Sequence, residues 1–392
     1  MRNRLDLVLI MTITLCAEAF AQTAPTPIDE VSHASTSDSP VAYVYVSSTL
    51  KGGNINEIEA FAAASNGKLT AVSGSPFQEN VMSMAANGKY LFATNSSGTA
   101  IESYWIESNG ALRYAATTDT AQSNDCNVLG PLFLDHTGKS LYDMEFDGSG
   151  CANNTYVTFN VDKSTGGLKD PGNSSGNDWL YLPASFIGNN VYAYSADCLE
   201  DMYWGIYGFH RNANGLLTEI SINATPPTPP QGYFYCPSLA AADATDHVVI
   251  SMQPVNQEDF SPDRLPQLAT YTADAEGNLS TASTRSNMPK TSVVSVTDLK
   301  MSPSGKVLAV GGTEGLEIFH FNGSKPITSY TEILKKVEID QLFWDNRDHL
   351  YAISNTGDKL YVFTITPTSY KEAPGSPHRI SHPQNVVVQP EQ

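Results

Sequence analysis

The side chains best suited to chemistry in this 392-residue chain stand near its C-terminus, where Arg379 and His382-Pro383 precede an apolar run, Asn385 to Gln389. A histidine can take a proton from water, and an arginine can stabilise the oxyanion formed when that water attacks a carbonyl. Hydrolysis at a carbonyl uses both functions. Asp298 and Asp340 lie inside apolar runs further back and are expected to face the same space as catalytic carboxylates. A second group lies in long irregular stretches: Glu145, Asp147, Trp204, Tyr235, Asp263 and Arg264, with Glu200, Asp201, Asp259, Arg285 and His378 in similar places. Rings placed this way can stack on a sugar or hold a peptide. The plainer readings are a solvated acidic face and rings packed between elements. Asp147-Gly148-Ser149-Gly150 and Glu258-Asp259 are oxygen-rich but lack the spacing of a calcium loop, and the remaining histidines are dispersed. No metal or cofactor is expected.

Composition narrows the partners. The formal charge is −19, and a protein this acidic repels phosphate backbones and anionic membranes, so nucleic acid is excluded as a partner. Residues 1–21 read as a signal peptide: Arg2 and Arg4, an apolar stretch from Leu5 to Leu15, then Ala19-Phe20-Ala21 where small residues suit cleavage. The apolar stretch is too short to span a membrane. Residues 22–40, rich in Thr, Ser, Pro and Asp, read as a flexible lead-in. The mature protein is therefore expected outside the cytoplasm, periplasmic or extracellular, as a monomer.

Residues 41–392 are expected to form one domain, built by repetition. Met82 to Asn95 (MSMAANGKYLFATN) is two alternating runs joined by an Asn87-Gly88 turn, and the pattern recurs at Leu129, Leu182, Pro237, Val296 and Ile339. Each copy is followed by an alternating strand and then a turn, which is Gly-x-Leu in Gly110-Ala111-Leu112 and Gly277-Asn278-Leu279 and degenerate at Asn322-Gly323 and at Pro367 to Ser369. The unit is a four-stranded antiparallel meander, labelled A to D from the inside outward, of a length suited to a propeller blade. Seven B strands are present: they begin at Val41, Tyr90, Ser140, Val191, Val248, Val307 and Leu350. The first lacks an A strand, and Asn385 to Gln389 is an A strand without a blade. The expected fold is an all-β, seven-bladed β-propeller closed by that C-terminal strand.

Antiparallel order puts the D-to-A and B-to-C connections on one face and the short A-to-B and C-to-D turns on the other. The long connections, Asp119 to Asn127, Glu145 to Thr155, Asp197 to Tyr203, Thr225 to Cys236 and Gln253 to Pro266, share the first face, and such connections carry binding in most scaffolds. Once Cys16 leaves with the signal, the four remaining cysteines fall there too, and Cys126–Cys151 and Cys198–Cys236 are the expected disulfides, with Cys151–Cys198 also geometrically possible.

The chain resembles the lactonase-type seven-bladed propellers, the group containing 6-phosphogluconolactonase of the propeller kind and carboxymuconate cycloisomerase. The likeness rests on Ser302-Pro303-Ser304-Gly305-Lys306-Val307-Leu308, the Gly-x-Leu turns, the strand Tyr90-Leu91-Phe92-Ala93-Thr94-Asn95, and Gly-Ser-Pro after strand D at Gly74 and Gly375. The last element is similar to exported members of the group. The resemblance implies His, Arg and carboxylate groups at the channel mouth and lactone hydrolysis, with His382-Pro383 as the matching His-Pro. The expected partner is a small molecule, a lactone or sugar. The alternative is a non-catalytic binding propeller that takes a protein or peptide on the long-loop face.

Overall fold

In a computed structural model, the chain is described over residues 39–49, 56–120, 130–144, 156–171, 180, 182–198, 204–222 and 224–390. Period-two alternation broken by Gly, Asn and Asp turns gives strands throughout, and no helix occurs among the described residues. The strands form seven antiparallel sheets, each a four-stranded blade of a β-propeller. The inner strands are Val81–Ala86, Leu132–Leu134, Ser185–Phe186, Tyr233–Ala242, Val296–Met301 and Gln341–Trp344 for blades two to seven, and Pro383–Pro390 for blade one. That closing strand is longer than the expected Asn385 to Gln389. It pairs with Ala42–Thr49 in the register Val44↔Val388, Tyr45↔Val387, Val46↔Val386, and the three valines are buried. The core lies between blades. Val44, Val46, Val386 and Val388 of blade one, for example, pack on Tyr351, Ile353 and Val362 of blade seven.

What joins one blade to the next is a repeated contact between the start of strand B and the C-to-D turn of the following blade. Tyr45 donates its hydroxyl to Gly110 O at 2.9 Å, Tyr142 to Gly215 O at 2.6 Å and Tyr194 to Gly277 O at 2.9 Å. A second ring, two residues earlier in blade one, lies flat against the same turn. A Cβ on Gly110 would stand 2.3 Å from the Tyr43 ring, and Gly110 has φ 82. The Gly of Gly-x-Leu is therefore demanded twice, by the left-handed turn and by the neighbour's ring. Histidine takes the place of that ring in two blades. His247 lies against Gly323 and His349 against Gly67, each with 3.3 Å from ring to the ideal Cβ position. His349 is fully buried, with Nδ1 2.6 Å from Asp345, which also accepts from Tyr351 at 3.1 Å. In blade three, Ser140 stands there instead, and Arg211 of blade four reaches back to its Oγ at 3.0 Å and to the buried Asp135 at 2.9 Å.

Inner strands are tied by polar side chains bonding to the next blade's backbone. Asn385 Oδ1 accepts from Met84 N at 3.1 Å, Ser83 Oγ from Leu132 N at 2.8 Å, Asp298 Oδ2 from Leu342 N at 2.8 Å and Gln341 Oε1 from Val386 N at 2.6 Å. The outer edge has its own device. In blades one and seven strand D breaks at Gly-Ser-Pro, whose serine replaces a backbone acceptor: Ser75 Oγ accepts from Ala60 N at 2.9 Å and Ser376 Oγ from Val362 N at 3.0 Å. Two residues on, Phe77 pairs with Ile58, and His378 pairs with Leu360.

Blade five departs from the sequence reading. Stretches assigned to the loops Thr225 to Cys236 and Gln253 to Pro266 include strand: Tyr233–Ala242 pairs with His247–Asn256 from Tyr233↔Asn256 downward, with a bulge between Pro237 and Ala240. Aromatic and proline residues hide the alternation there, although Tyr235, Cys236 and Val255 are buried.

The turn contact gives a direct prediction. Gly110→Ala is expected to destabilise by about 2 kcal/mol or more in urea denaturation, since the left-handed conformation alone costs roughly 1–2 kcal/mol. Gly232→Ala is the control, because Gly232 has φ 79 with nothing within 4 Å of its Cβ position. Equal losses for the two variants would deny the ring contact its role.

Candidate functional site

The two faces of the disc differ. On the turn face, the inner strands of blades three to seven surround a cavity of about 430 Å³, lined by Phe133, Leu134, Phe186, Met301, Phe343 and Trp344. Its polar groups are already committed or muted. Lys300 Nζ is 3.4 Å from Asp298, and burial pulls the His136 imidazole below its ordinary pKa despite the opposing charge of Asp135. This mouth is an apolar collar.

On the loop face, His382 occupies the turn that enters the closing strand, in the left-handed region at φ 42. Its backbone N–H is donated to Asp358 Oδ1 at 3.0 Å, and its Nδ1 lies 3.5 Å from the same oxygen, with the side chain 42 % exposed. His382 O accepts from Thr49 N of blade one at 3.3 Å. A carboxylate on the Nδ1 side of an imidazole holds the proton there and turns Nε2 outward as an acceptor. Asp340 reaches this corner through one residue. Its Oδ2 accepts from Asn355 N at 2.7 Å, and Asn355 Nδ2 donates to Pro383 O at 3.2 Å. Burial raises the Asp340 carboxyl pKa, against the pull of the Asn355 bond and with Glu338 adding to the rise.

The other two residues expected at the mouth stand apart. Asp298 belongs to the seam of blades six and seven, where its carboxylate serves Leu342 N and Lys300. Arg379 lies in the outer strand His378–Arg379, opposite Lys359, and is exposed. His382, Asp340 and Asp358 thus share the seam of blades seven and one. Asp358 and Asn355 escaped the sequence reading; their one mark is the turn Asn355-Thr356-Gly357-Asp358 directly before a strand.

Glu59 was missed as well. It follows Glu57 by two residues on Asn56–Ala63, and by alternation shares the side of Phe61, whose ring meets His378 of blade seven at 5.9 Å. Burial, with the nearby Glu57 charge, pushes its pKa up to about 7. A carboxyl that keeps its proton to neutrality is a marker of working sites.

Of the rim residues, Tyr235 is buried and donates to Gln267 Oε1 at 2.7 Å, so it packs. Arg264 and Asp263 frame Tyr233: the guanidinium lies 3.9 Å from the ring centroid, and the hydroxyl donates to Asp263 at 3.0 Å. Phe234 and Phe260 meet at 6.2 Å beside them, with Phe260 61 % exposed. Trp204 begins the strand opposite Cys198. Cys198 and Cys236 form a disulfide with Cα atoms 5.2 Å apart, tying blade four to the extended inner strand of blade five. Glu145, Asp147, Cys126 and Cys151 lie outside the described residues. Among the described residues no helix is long and apolar enough to cross a membrane.

The chain is a seven-bladed β-propeller in fold, and solved structures of that shape are numerous. A provisionally named 6-phosphogluconolactonase from Bacteroides fragilis superposes with a TM-score of 0.60 at 14 % identity, covering 90 % of this chain and 99 % of its own. One of the same provisional name from Bacteroides uniformis gives 0.57 at 15 %, covering 90 % and 100 %. A hypothetical selenium-binding protein from Sulfolobus tokodaii gives 0.57 at 12 %, covering 89 % and 94 %. At such identities the likeness is one of fold alone. No protein-family model and no curated protein matches the sequence.

The Glu59 shift carries a pH signature. Free glutamate titrates near about 4.3, so between there and pH 7 the folded chain keeps a proton that the unfolded chain has lost. Unfolding then releases a proton, and this contribution to stability declines as pH rises to about 7 and is flat above it. Thermal midpoints measured from pH 4.5 to 8 are expected to show that decline, and Glu59→Gln to remove it. A Gln variant with an unchanged profile would assign the effect elsewhere.

Proposed function

We propose that this protein is an exported lactonase-like hydrolase working at the loop-face mouth of the channel, between blades seven and one. The observation that carries the reading is the half-exposed His382 beside Asp358, in a left-handed turn at the entry to the closing strand. Residues held in sparsely populated backbone regions concentrate at working sites. In the proposed step, His382 Nε2 removes a proton from water as its oxygen attacks the lactone carbonyl, and Asp358 steadies the imidazolium that forms. The tetrahedral oxyanion collapses, the ring C–O bond breaks, and the imidazolium returns the proton to the departing alkoxide, leaving a hydroxy acid. Arg379, on the outer strand of blade seven, has no part in this step. Asp340 positions the turn through Asn355 and Pro383. With a formal charge of −19 on the whole chain, the favoured substrate is an uncharged lactone rather than a phosphorylated one. Export is supported by the leader-like residues 1–21 and by the Cys198–Cys236 disulfide.

A second reading, a non-catalytic binding propeller, is supported by blade five. The Tyr233–Arg264 stack and the exposed Phe260 project from strands longer than the blade needs, and Tyr and Arg are the residues that most often anchor interfaces.

Uncharged five- and six-membered aldonolactones distinguish the two. If the first reading holds, hydrolysis exceeds the spontaneous rate, His382→Ala lowers kcat/KM by about 100-fold or more, and Asp358→Asn gives a smaller loss. Wild-type and His382→Ala rates that both equal the uncatalysed rate would leave the binding reading.

A further inference from the structure

A cleft of about 800 Å³ opens on the outer side of blades four and five, well away from His382. It exists because blade five enlarges the strand-D break that blades one and seven keep minimal. Ser283 Oγ accepts from Thr270 N at 3.0 Å, as Ser75 and Ser376 do for their strands. There, pairing resumes two residues later, at Phe77 and His378; in blade five it resumes at Lys290, seven residues on. The extra residues include Thr284, Arg285 and Ser286, which form one wall. The other wall is Pro226, Pro227 and Pro229 from the connection leaving blade four, fixed by a parallel bridge between Ala224 and Leu279. Closing a strand needs no insertion of this length, and long excursions from a rigid scaffold are where ligands are usually met.

The lining chemistry is unusual for this chain. The sequence has 41 Asp and Glu residues, yet none lines the cleft, and Arg285 is exposed with no ion pair among the described residues. Around Arg285 stand hydroxyls with lone pairs to spare. Thr284 and Ser286 share one bond of 3.0 Å, and Thr225 and Thr228 make none among the described residues. Proline rings offer the flat apolar faces on which the C–H side of a sugar ring packs, while hydroxyls and a lone guanidinium meet its polar edge.

We propose that this cleft is a binding site for a polyhydroxylated carboxylate, a sugar acid, with Arg285 taking the carboxylate and the hydroxyl wall taking the ring oxygens. Two sources offer that chemistry: a free sugar acid, or a uronic acid residue within a glycan. The site is independent of the lactone chemistry proposed at His382.

The test is isothermal titration of the full mature chain with galacturonate, trigalacturonate and the neutral sugar galactose. Saturable binding of the uronates is expected, with galactose at least tenfold weaker. Arg285→Gln should weaken uronate binding at least tenfold without changing the thermal midpoint, and Thr284→Val with Ser286→Ala should weaken all three sugars. His382→Ala should bind as wild type, which keeps this outcome separate from the fate of the hydrolase reading. Tighter binding of the trimer would point to a glycan, and equal binding to the free acid. No saturable uronate binding, or binding indifferent to Arg285→Gln, overturns the proposal.

Discussion

The fold depends on a ring of one blade lying against a glycine turn of the next. A propeller has no central core, so each blade must be told at what angle to meet its neighbour. Tyr43 on Gly110, Tyr90 on Gly166 and Tyr192 on Gly277 do this at fixed positions, with hydroxyls such as that of Tyr45 satisfying the turn carbonyls. A buried polar pair of this kind loses more when one partner is removed than its net strength suggests. The same contact accounts for two histidines that otherwise invite a functional reading. His247 and His349 occupy the ring position, and their aspartates cap the turn below them.

This explains what could be read from the residues and what could not. Blade number, strand order and the closing strand follow from local alternation and turn chemistry, which repeat and so reinforce one another. The Gly-x-Leu turn was legible as a hairpin signal, but its second role was not, because the ring that needs the missing Cβ lies about a blade away in sequence. Of the proposed site, only the histidine was legible. Asp358 sits in a short polar turn like many others, and its meaning comes from ring closure, which brings residue 382 back to the exit of blade seven. Asp298 illustrates the opposite failure. A carboxylate in an inner strand reads as channel-lining, whereas its oxygens bond to the next blade's backbone. Blade five was misread for a third reason, since Phe234, Pro237 and Pro254 mask a strand pattern that its hydrogen bonds nevertheless complete.

Regular and irregular connections are separated across the disc. The regular Asn-Gly and Gly-x-Leu turns lie on the face with the apolar collar. The irregular connections, the disulfide and the half-exposed His382 lie on the other. Strand D adds a third place for variation, because a serine side chain can stand in for a missing backbone acceptor. Once it does, the chain is free to leave the sheet and return, briefly in blades one and seven and at length in blade five.

The closing strand also sets a condition on how the protein is made. Residues Ala42–Thr49 are synthesised long before their inner partner, Pro383–Pro390. Until then the first blade presents a bare strand edge, the kind of surface that recruits other chains. Ring closure consequently makes the first blade depend on the eight residues Pro383–Pro390, because without them Ala42–Thr49 has no inner partner. In a chain made from its N-terminus, that edge must be shielded until Pro383–Pro390 arrives.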